Sequence, residues 1–255
     1  MLSFYVHNAI MNIMKNIIKT LKSSGLDCQL YLPGDYETCL KYYPVIYVNG
    51  EIPIEDVLSE VEKQGGGVAS NFLMLSVKPN SWNDDFTPWS AVAFRPGEMA
   101  PSGNADAYIK ILSEEIKPFI DENFRTRKEP ENTTLIGYSL GGLAALYSIY
   151  KTDVFGKVGS ISGSLWYDNW ITFMGNTIPE RKTCKVYLSL GRKESKSRNS
   201  RMARVGDCTE RAEEILKSSF GEKQVFFEWN EGGHFTDVSK RLAKAIVGLV
   251  NENLT

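Results

Sequence analysis

Gly137-Tyr138-Ser139-Leu140-Gly141 decides the fold. The buried-looking run Thr133-Thr134-Leu135-Ile136 leads into it, and the helix-forming run Leu143-Ala144-Ala145-Leu146-Tyr147 leads out. Strand, G-x-S-x-G, helix is a nucleophile elbow, a strained turn that lifts a serine hydroxyl out of the backbone. Small residues on either side let neighbouring elements pack closely and leave room for a substrate and a base. The N–H of Leu140, the residue after the serine, then points where an oxyanion forms. The five-residue pattern alone arises by chance in roughly one chain in ten of this size. The strand before it and the helix after it supply the specificity.

A serine nucleophile needs a general base, and the chain has two histidines, His7 and His234. His7 falls in an N-terminal extension with no obvious place in a core. His234 ends Glu231-Gly232-Gly233-His234, directly after the strand-like Val225-Phe226-Phe227-Glu228-Trp229 and before an amphipathic helix. In the order serine, acid, histidine, the base belongs on the loop after the last strand. An unperturbed pKa of about 6.5 suits imidazole to take a proton at neutral pH and return it to a leaving group.

The acid belongs after the penultimate strand, read as Cys184-Lys185-Val186-Tyr187-Leu188-Ser189-Leu190. Glu194 is the first carboxylate beyond it and would orient the His234 ring. Asp207 and Asp168 are rivals. Asp207 opens the next helix, where capping and dipole effects favour an aspartate without any catalysis. Asp168 follows the wrong strand.

Composition excludes other classes. The 255 residues suit one α/β domain with a large core and are too few for two comfortable ones. A formal net charge of −2 gives no electrostatic case for nucleic acid or an anionic membrane. Cys28, Cys39, Cys184 and Cys208 form no C-x-x-C pair and have no metal-ligand spacing with histidine, so free thiols in a reducing cytosol are expected. No metal or organic cofactor is required.

Residues 1–24 read as an N-terminal extension or surface helix, with Met11, Met14, Ile17, Ile18 and Leu21 at helical spacing. Residues 25–255 read as a single domain. Within it, strand and helix patterns alternate from Cys28 to the helix of Val238, Leu242, Ile246 and Leu249. Asn80 to Gly103 has little periodicity and reads as a long functional loop. Asn104 to Asn123 reads as a helix that Pro118 should kink. Repeating βα units give a mostly parallel central sheet with helices on both faces.

The chain resembles the esterase branch of the α/β hydrolases, the group holding enterochelin and other siderophore esterases, esterase D-type enzymes and feruloyl esterases. The similarity runs from about Leu30 to the C-terminal helix. It is carried by Pro44-Val45-Ile46-Tyr47-Val48-Asn49-Gly50, by Trp82-Asn83-Asp84-Asp85-Phe86-Thr87-Pro88-Trp89 and by Asp106-Ala107-Tyr108. Glu115 to Asp121, the elbow with Gly142, and Gly232-Gly233-His234 carry the rest.

The resemblance implies an α/β hydrolase fold, Ser139 as nucleophile, His234 as base and an acid at Glu194. It implies an oxyanion hole from the N–H groups of Leu140 and of Gly50, just after the strand ending at Val48. Some siderophore esterases work with little help from an acid, which leaves the role of Glu194 open. The absence of a visible secretory signal resembles the cytoplasmic siderophore enzymes. The expected substrate is a small-molecule ester, most of all a trilactone siderophore, with a thioester, a feruloyl ester or S-formylglutathione as alternatives. A binding protein that kept the fold and lost activity is the remaining alternative. Trp82, Trp89, Arg95 and Trp166 would line a pocket for a flat, aromatic or catecholate-bearing acyl group. No nucleic acid and no stable membrane association are expected.

Overall fold

Val45-Ile46-Tyr47-Val48-Asn49 shows why the sheet is sandwiched. All five residues are buried, and alternate side chains enter opposite cores. Val45 and Tyr47 pack with Leu75, Leu135, Val158 and Leu188 on one face. Ile46 and Val48 pack with Met74 and Ile136 on the other. The computed structural model describes residues 17–251.

Among the described residues, eight strands form one sheet: β1 (Ile17–Ser23), β2 (Leu26–Leu32), β3 (Val45–Asn49), β4 (Leu73–Val77), β5 (Thr133–Tyr138), β6 (Lys157–Ile161), β7 (Lys185–Gly191) and β8 (Val225–Asn230). Their order is β1-β2-β4-β3-β5-β6-β7-β8. The six strands from β4 to β8 pair in parallel, and β1 and β2 are antiparallel. Helices α1 (Ile54–Gly65) and α8 (Val238–Asn251) cover one face through Val57, Leu58, Val61, Leu242, Ile246 and Leu249. The other face is covered by α3 (Ala105–Ile111), α5 (Leu140–Ser148) and α7 (Val205–Phe220). This is the α/β hydrolase fold, a mostly parallel sheet with helices on both sides. Its strand order reverses at β3 and β5, and the carboxyl ends at such a switch point form the natural site.

Three expectations are revised. The helix expected through Ile17, Ile18 and Leu21 is strand β1, paired residue by residue with β2. Ser24 and Gly25 both have positive φ, 51° and 81°, as a two-residue hairpin turn requires. The sheet therefore already includes Ile17–Ser23, ahead of the boundary expected at residue 25. Met11, Met14 and His7 lie outside the described residues.

The loop from Asn80 to Gly103 contains a one-turn helix, α2 (Trp82–Asp85). Its two carboxylates pin the segment. Asp85 accepts from the N–H groups of Asn80 and Ser81, and Asp84 accepts from the N–H of Ser102. Pro118 has no N–H to donate, and the helix accommodates it with a π turn, Leu112–Ile116, between α3 and α4 (Lys117–Asn123). Among the described residues no helix is long and apolar enough to cross a membrane.

Candidate active site

Ser139 caps α5 with φ 58° and ψ −123°, a conformation that costs a non-glycine residue about 1–3 kcal/mol. The neighbouring glycines make the turn possible. A methyl on Gly137 would sit 2.1 Å from the carbonyl oxygen of Gly141, and one on Gly141 would sit 2.9 Å from that of Asn49. The hydroxyl is thereby presented above the end of β5.

His234 meets it from the loop after β8. Its Nε2 lies 3.0 Å from Ser139 Oγ, and its Nδ1 lies 2.7 Å from Glu194 Oε2. A carboxylate accepts only, so Nδ1 carries the proton and Nε2 is left to accept the serine hydroxyl. Glu194 stands just beyond β7 and is 8% exposed. Its Oε1 accepts from the Gly191 N–H at 2.8 Å, from the Ser162 hydroxyl at 2.8 Å and from Arg241 Nη1 at 3.2 Å. Burial alone would raise its pKa. The hydrogen bonds from His234 and the Gly191 N–H, the His234 charge and the Ser162 hydroxyl together hold it below the ordinary carboxylate value.

The structure thus brings Ser139, His234 and Glu194 into one chain of hydrogen bonds. It leaves the rival acids elsewhere. Asp207 is exposed in the first turn of α7. Asp168 is paired with Arg201 at 2.8 Å.

Leu140 opens α5, and among the described residues its N–H has no acceptor; the Ser139 carbonyl instead takes the N–H groups of Gly142 and Leu143. The second expected donor is corrected. Gly50 gives its N–H to the Val77 carbonyl at 2.9 Å, so it is committed within the sheet. Glu51, one residue on, has an N–H with no acceptor among the described residues. Gly50 serves packing instead: a Cβ there would meet the Trp82 ring at 2.9 Å.

A cleft of 440 Å³ opens over Ser139 and His234, lined by Trp82, Phe94, Arg95, Trp166 and Phe235 among others. Phe94 and Trp166 meet edge to face at 5.4 Å, and the Arg201 guanidinium lies 5.6 Å from the Trp166 ring centre. Phe235 is 85% exposed beside His234. Trp89, expected in the pocket, is half-buried and packs against the core instead. Its Nε1 donates to the Asp168 carbonyl, and its ring packs among Tyr147, Tyr167, Trp170 and Phe173. Arg95 lines the cleft but lies 3.7 Å from Glu98, which shares it. A larger depression of 620 Å³ between Met174 and Phe220 is lined by no histidine, and its Ser218 and Ser219 hydroxyls donate to helix carbonyls. Among the described residues no cluster of His, Cys, Asp and Glu is placed to hold a metal.

Sequence reasoning missed Phe94, Phe235, Ser162, Ser164 and Arg241. Ser164 faces the nucleophile, its Oγ 3.4 Å from Ser139 Oγ. Arg241 was visible in principle. It recurs with Val238, Leu242, Ala245 and Leu249 on the apolar stripe of α8, where a charge has to find a partner.

A sheet ordered in this way, with a serine on a strained turn and a histidine and carboxylate behind it, defines an α/β-hydrolase esterase. The chain belongs to the esterase family described as "Putative esterase", whose profile matches residues 23–237, and it is a hydrolase acting on ester bonds. It is 28% identical over 249 residues to the uncharacterized protein YbbA of Bacillus subtilis (strain 168), covering 94% of this chain and 98% of the relative. It is 26% identical over 179 residues to an endo-1,4-beta-xylanase/feruloyl esterase of Xylanibacter ruminicola, covering 65% of this chain and 22% of that protein. Among solved structures, the siderophore hydrolase EstB from Aspergillus nidulans superposes with a TM-score of 0.71 at 17% identity, covering 94% of this chain and 96% of the other. At that identity the likeness concerns the fold.

Proposed function

We propose that Ser139, His234 and Glu194 hydrolyse a carboxylic ester through an acyl-enzyme, and that the ester is of the trilactone siderophore class. The observation that carries the mechanism is the unbroken relay from Ser139 Oγ to His234 at 3.0 Å and from His234 to Glu194 at 2.7 Å. His234 Nε2 takes the hydroxyl proton as Oγ attacks the ester carbonyl. The N–H groups of Leu140 and Glu51 receive the oxyanion. The protonated imidazole, steadied by Glu194, returns the proton to the departing alkoxide, which leaves as the alcohol. Water then gives a proton to His234 and its oxygen to the acyl carbon. The bond to Oγ breaks, Oγ recovers the proton, and the acid is released.

The substrate reading is supported by the indole and phenyl faces of Trp82, Phe94, Trp166 and Phe235 around the relay, which suit stacked aromatic rings. The names of relatives of this fold, siderophore hydrolases among them, support it too. A single aryl-acyl ester of the feruloyl kind is the second reading. It is favoured by the Glu98 carboxylate beside Arg95, which reduces the positive charge offered to a polyanionic iron complex. A cytoplasmic site of action belongs to the same proposal, supported by four free thiols.

A fluorophosphonate probe tests the mechanism. It should label wild-type protein and leave Ser139→Ala unlabelled, and wild-type protein that stays unlabelled would end the hydrolase reading. Parallel assays with a ferric trilactone, methyl ferulate and p-nitrophenyl acetate test the substrate. The trilactone should lead in kcat/KM by at least about tenfold, the discrimination that a packed aromatic contact supports. A lead for methyl ferulate would transfer the proposal to the second reading.

A further inference from the structure

Arg241 is 1% exposed, and no part of it lines the cleft. Its guanidinium nevertheless touches the acid of the nucleophile's relay and the backbone of the loop that carries the base. Nη1 donates to Glu194 Oε1 at 3.2 Å and to Ser162 Oγ at 2.9 Å. Nη2 donates to the carbonyls of Glu231 at 2.7 Å and Gly233 at 3.0 Å. Those two carbonyls bracket the glycine turn that delivers His234. One rigid planar group therefore fixes the acid with one arm and the loop of the base with the other.

We propose that Arg241 is a positioning residue that sets the register of His234 against both Ser139 and Glu194. The inference rests on the Ser139–His234–Glu194 mechanism proposed above. Glu194 Oε1 already receives the Gly191 N–H and the Ser162 hydroxyl, so the acid has donors without the arginine. The segment before Glu194 also reaches the loop, through the N–H groups of Arg192 and Lys193 on the carbonyls of Asn230 and Gly232, both at 2.9 Å, and through the exposed Arg192–Glu231 pair. Among the described residues, however, Arg241 is the side chain outside the loop that joins the Glu194 carboxylate itself to it. Gly232 in that loop has φ 87°, and Gly233 gives its N–H to Thr236 Oγ1 at 3.1 Å. Neither glycine has a side chain to anchor it, so the backbone is fixed further by the hydrogen bonds to the Glu231 and Gly233 carbonyls. A buried cation on a helix of the opposite layer is a costly way to provide them. The fork of a guanidinium is the one side-chain geometry that spans both targets. Lysine keeps the charge beside Glu194 but, as a single point, cannot hold the acid and the loop together.

The test is Arg241→Lys in the full chain, assayed on p-nitrophenyl acetate with turnover normalised to fluorophosphonate-titrated sites. The expected result is a kcat lower by about 10²-fold with KM unchanged, the scale of loss for a reacting group displaced by about an ångström. The losses of Arg241→Lys and Glu194→Gln should fall well short of multiplying in the double variant, because both act through His234. A kcat per active site within about twofold of wild type, with only the yield of folded enzyme reduced, would make Arg241 structural and overturn the proposal. So would fully multiplicative losses. Should Arg241→Lys yield no labelled enzyme, Arg241→Gln combined with Glu194→Gln removes the buried pair together, and its kcat is read against Glu194→Gln alone with the same two outcomes. Turnover by Ser139→Ala equal to wild type would be a failure of the underlying mechanism, recognisable as such before any Arg241 variant is compared.

Discussion

Asn49, the last residue of β3, donates from Nδ2 to the carbonyl oxygen of Gly141 at 2.9 Å, within the turn that carries Ser139. Its Oδ1 accepts the Tyr108 hydroxyl at 3.0 Å. Both bonds are buried, so a single amide ties the end of one strand to the elbow of the next and to the helix above. Asn49→Ala leaves the buried Tyr108 hydroxyl without its acceptor, while the Gly141 carbonyl keeps its place in the ladder of α5, and should cost about 1–3 kcal/mol. Urea unfolding should show a lower midpoint with an unchanged slope. A midpoint equal to wild type would mean that water replaces the amide without loss.

Ser139 predicts a conflict between stability and activity. Its positive φ is a strain that glycine would not feel. Ser139→Gly gives up about 0.4–1 kcal/mol through the freer unfolded chain and relieves about 1–3 kcal/mol of strain. The net expectation is a protein more stable by about 1 kcal/mol with ester turnover abolished. Thermal unfolding of Ser139→Gly below wild type would show that the hydroxyl itself holds the turn together.

Glu194 predicts an acid limb. Its folded pKa lies below the ordinary carboxylate value, so the folded state binds this proton less readily than the unfolded chain. The resulting stabilisation is complete above about pH 4.5 and is lost as the pH falls through the folded value. Wild-type stability should therefore drop more steeply with acidification than that of Glu194→Gln, measured by urea midpoints between about pH 3 and 6. In turnover, Glu194→Gln should lose less than His234→Ala, since orienting the imidazole is secondary to having one. Asp207→Asn, on the exposed start of α7, should match wild type.

How far the sequence spoke depends on how local each signal is. The elbow is legible because strand, turn and helix are contiguous, and His234 and Glu194 follow from the order of strands along the chain. The place of Gly50 just after a strand suits an oxyanion donor, whereas the sheet register decides where its N–H points, and β4 takes it. Trp89 and Trp82 share a segment and a residue type, yet one packs against the core and the other lines the cleft. Only the packing of α5 and α6 (Trp170–Asn176) distinguishes them. For β1, Ile17, Ile18 and Leu21 fit both a helical and an extended reading, and pairing with β2 settled it.

Arg95 and Glu98 carry the prediction on charge at the cleft mouth. They lie 3.7 Å apart with side chains 72% and 40% exposed, so each partly neutralises the other within easy reach of a bound substrate. A polyanionic ferric trilactone would feel the arginine as attraction and the glutamate as repulsion. Arg95→Ala should lower its kcat/KM by about tenfold, the loss of one charge-assisted contact. Glu98→Gln should raise it, by a factor that shrinks as salt is increased, because groups this exposed are screened over about 10 Å at 0.1 M salt. Turnover of p-nitrophenyl acetate, which has no charge to read, should hardly move in either variant. Opposite shifts for the two variants on the anionic ester alone would identify the pair as a charge filter at the entrance. Equal losses on both substrates would mean that the pair only holds the loop after Phe94 in shape.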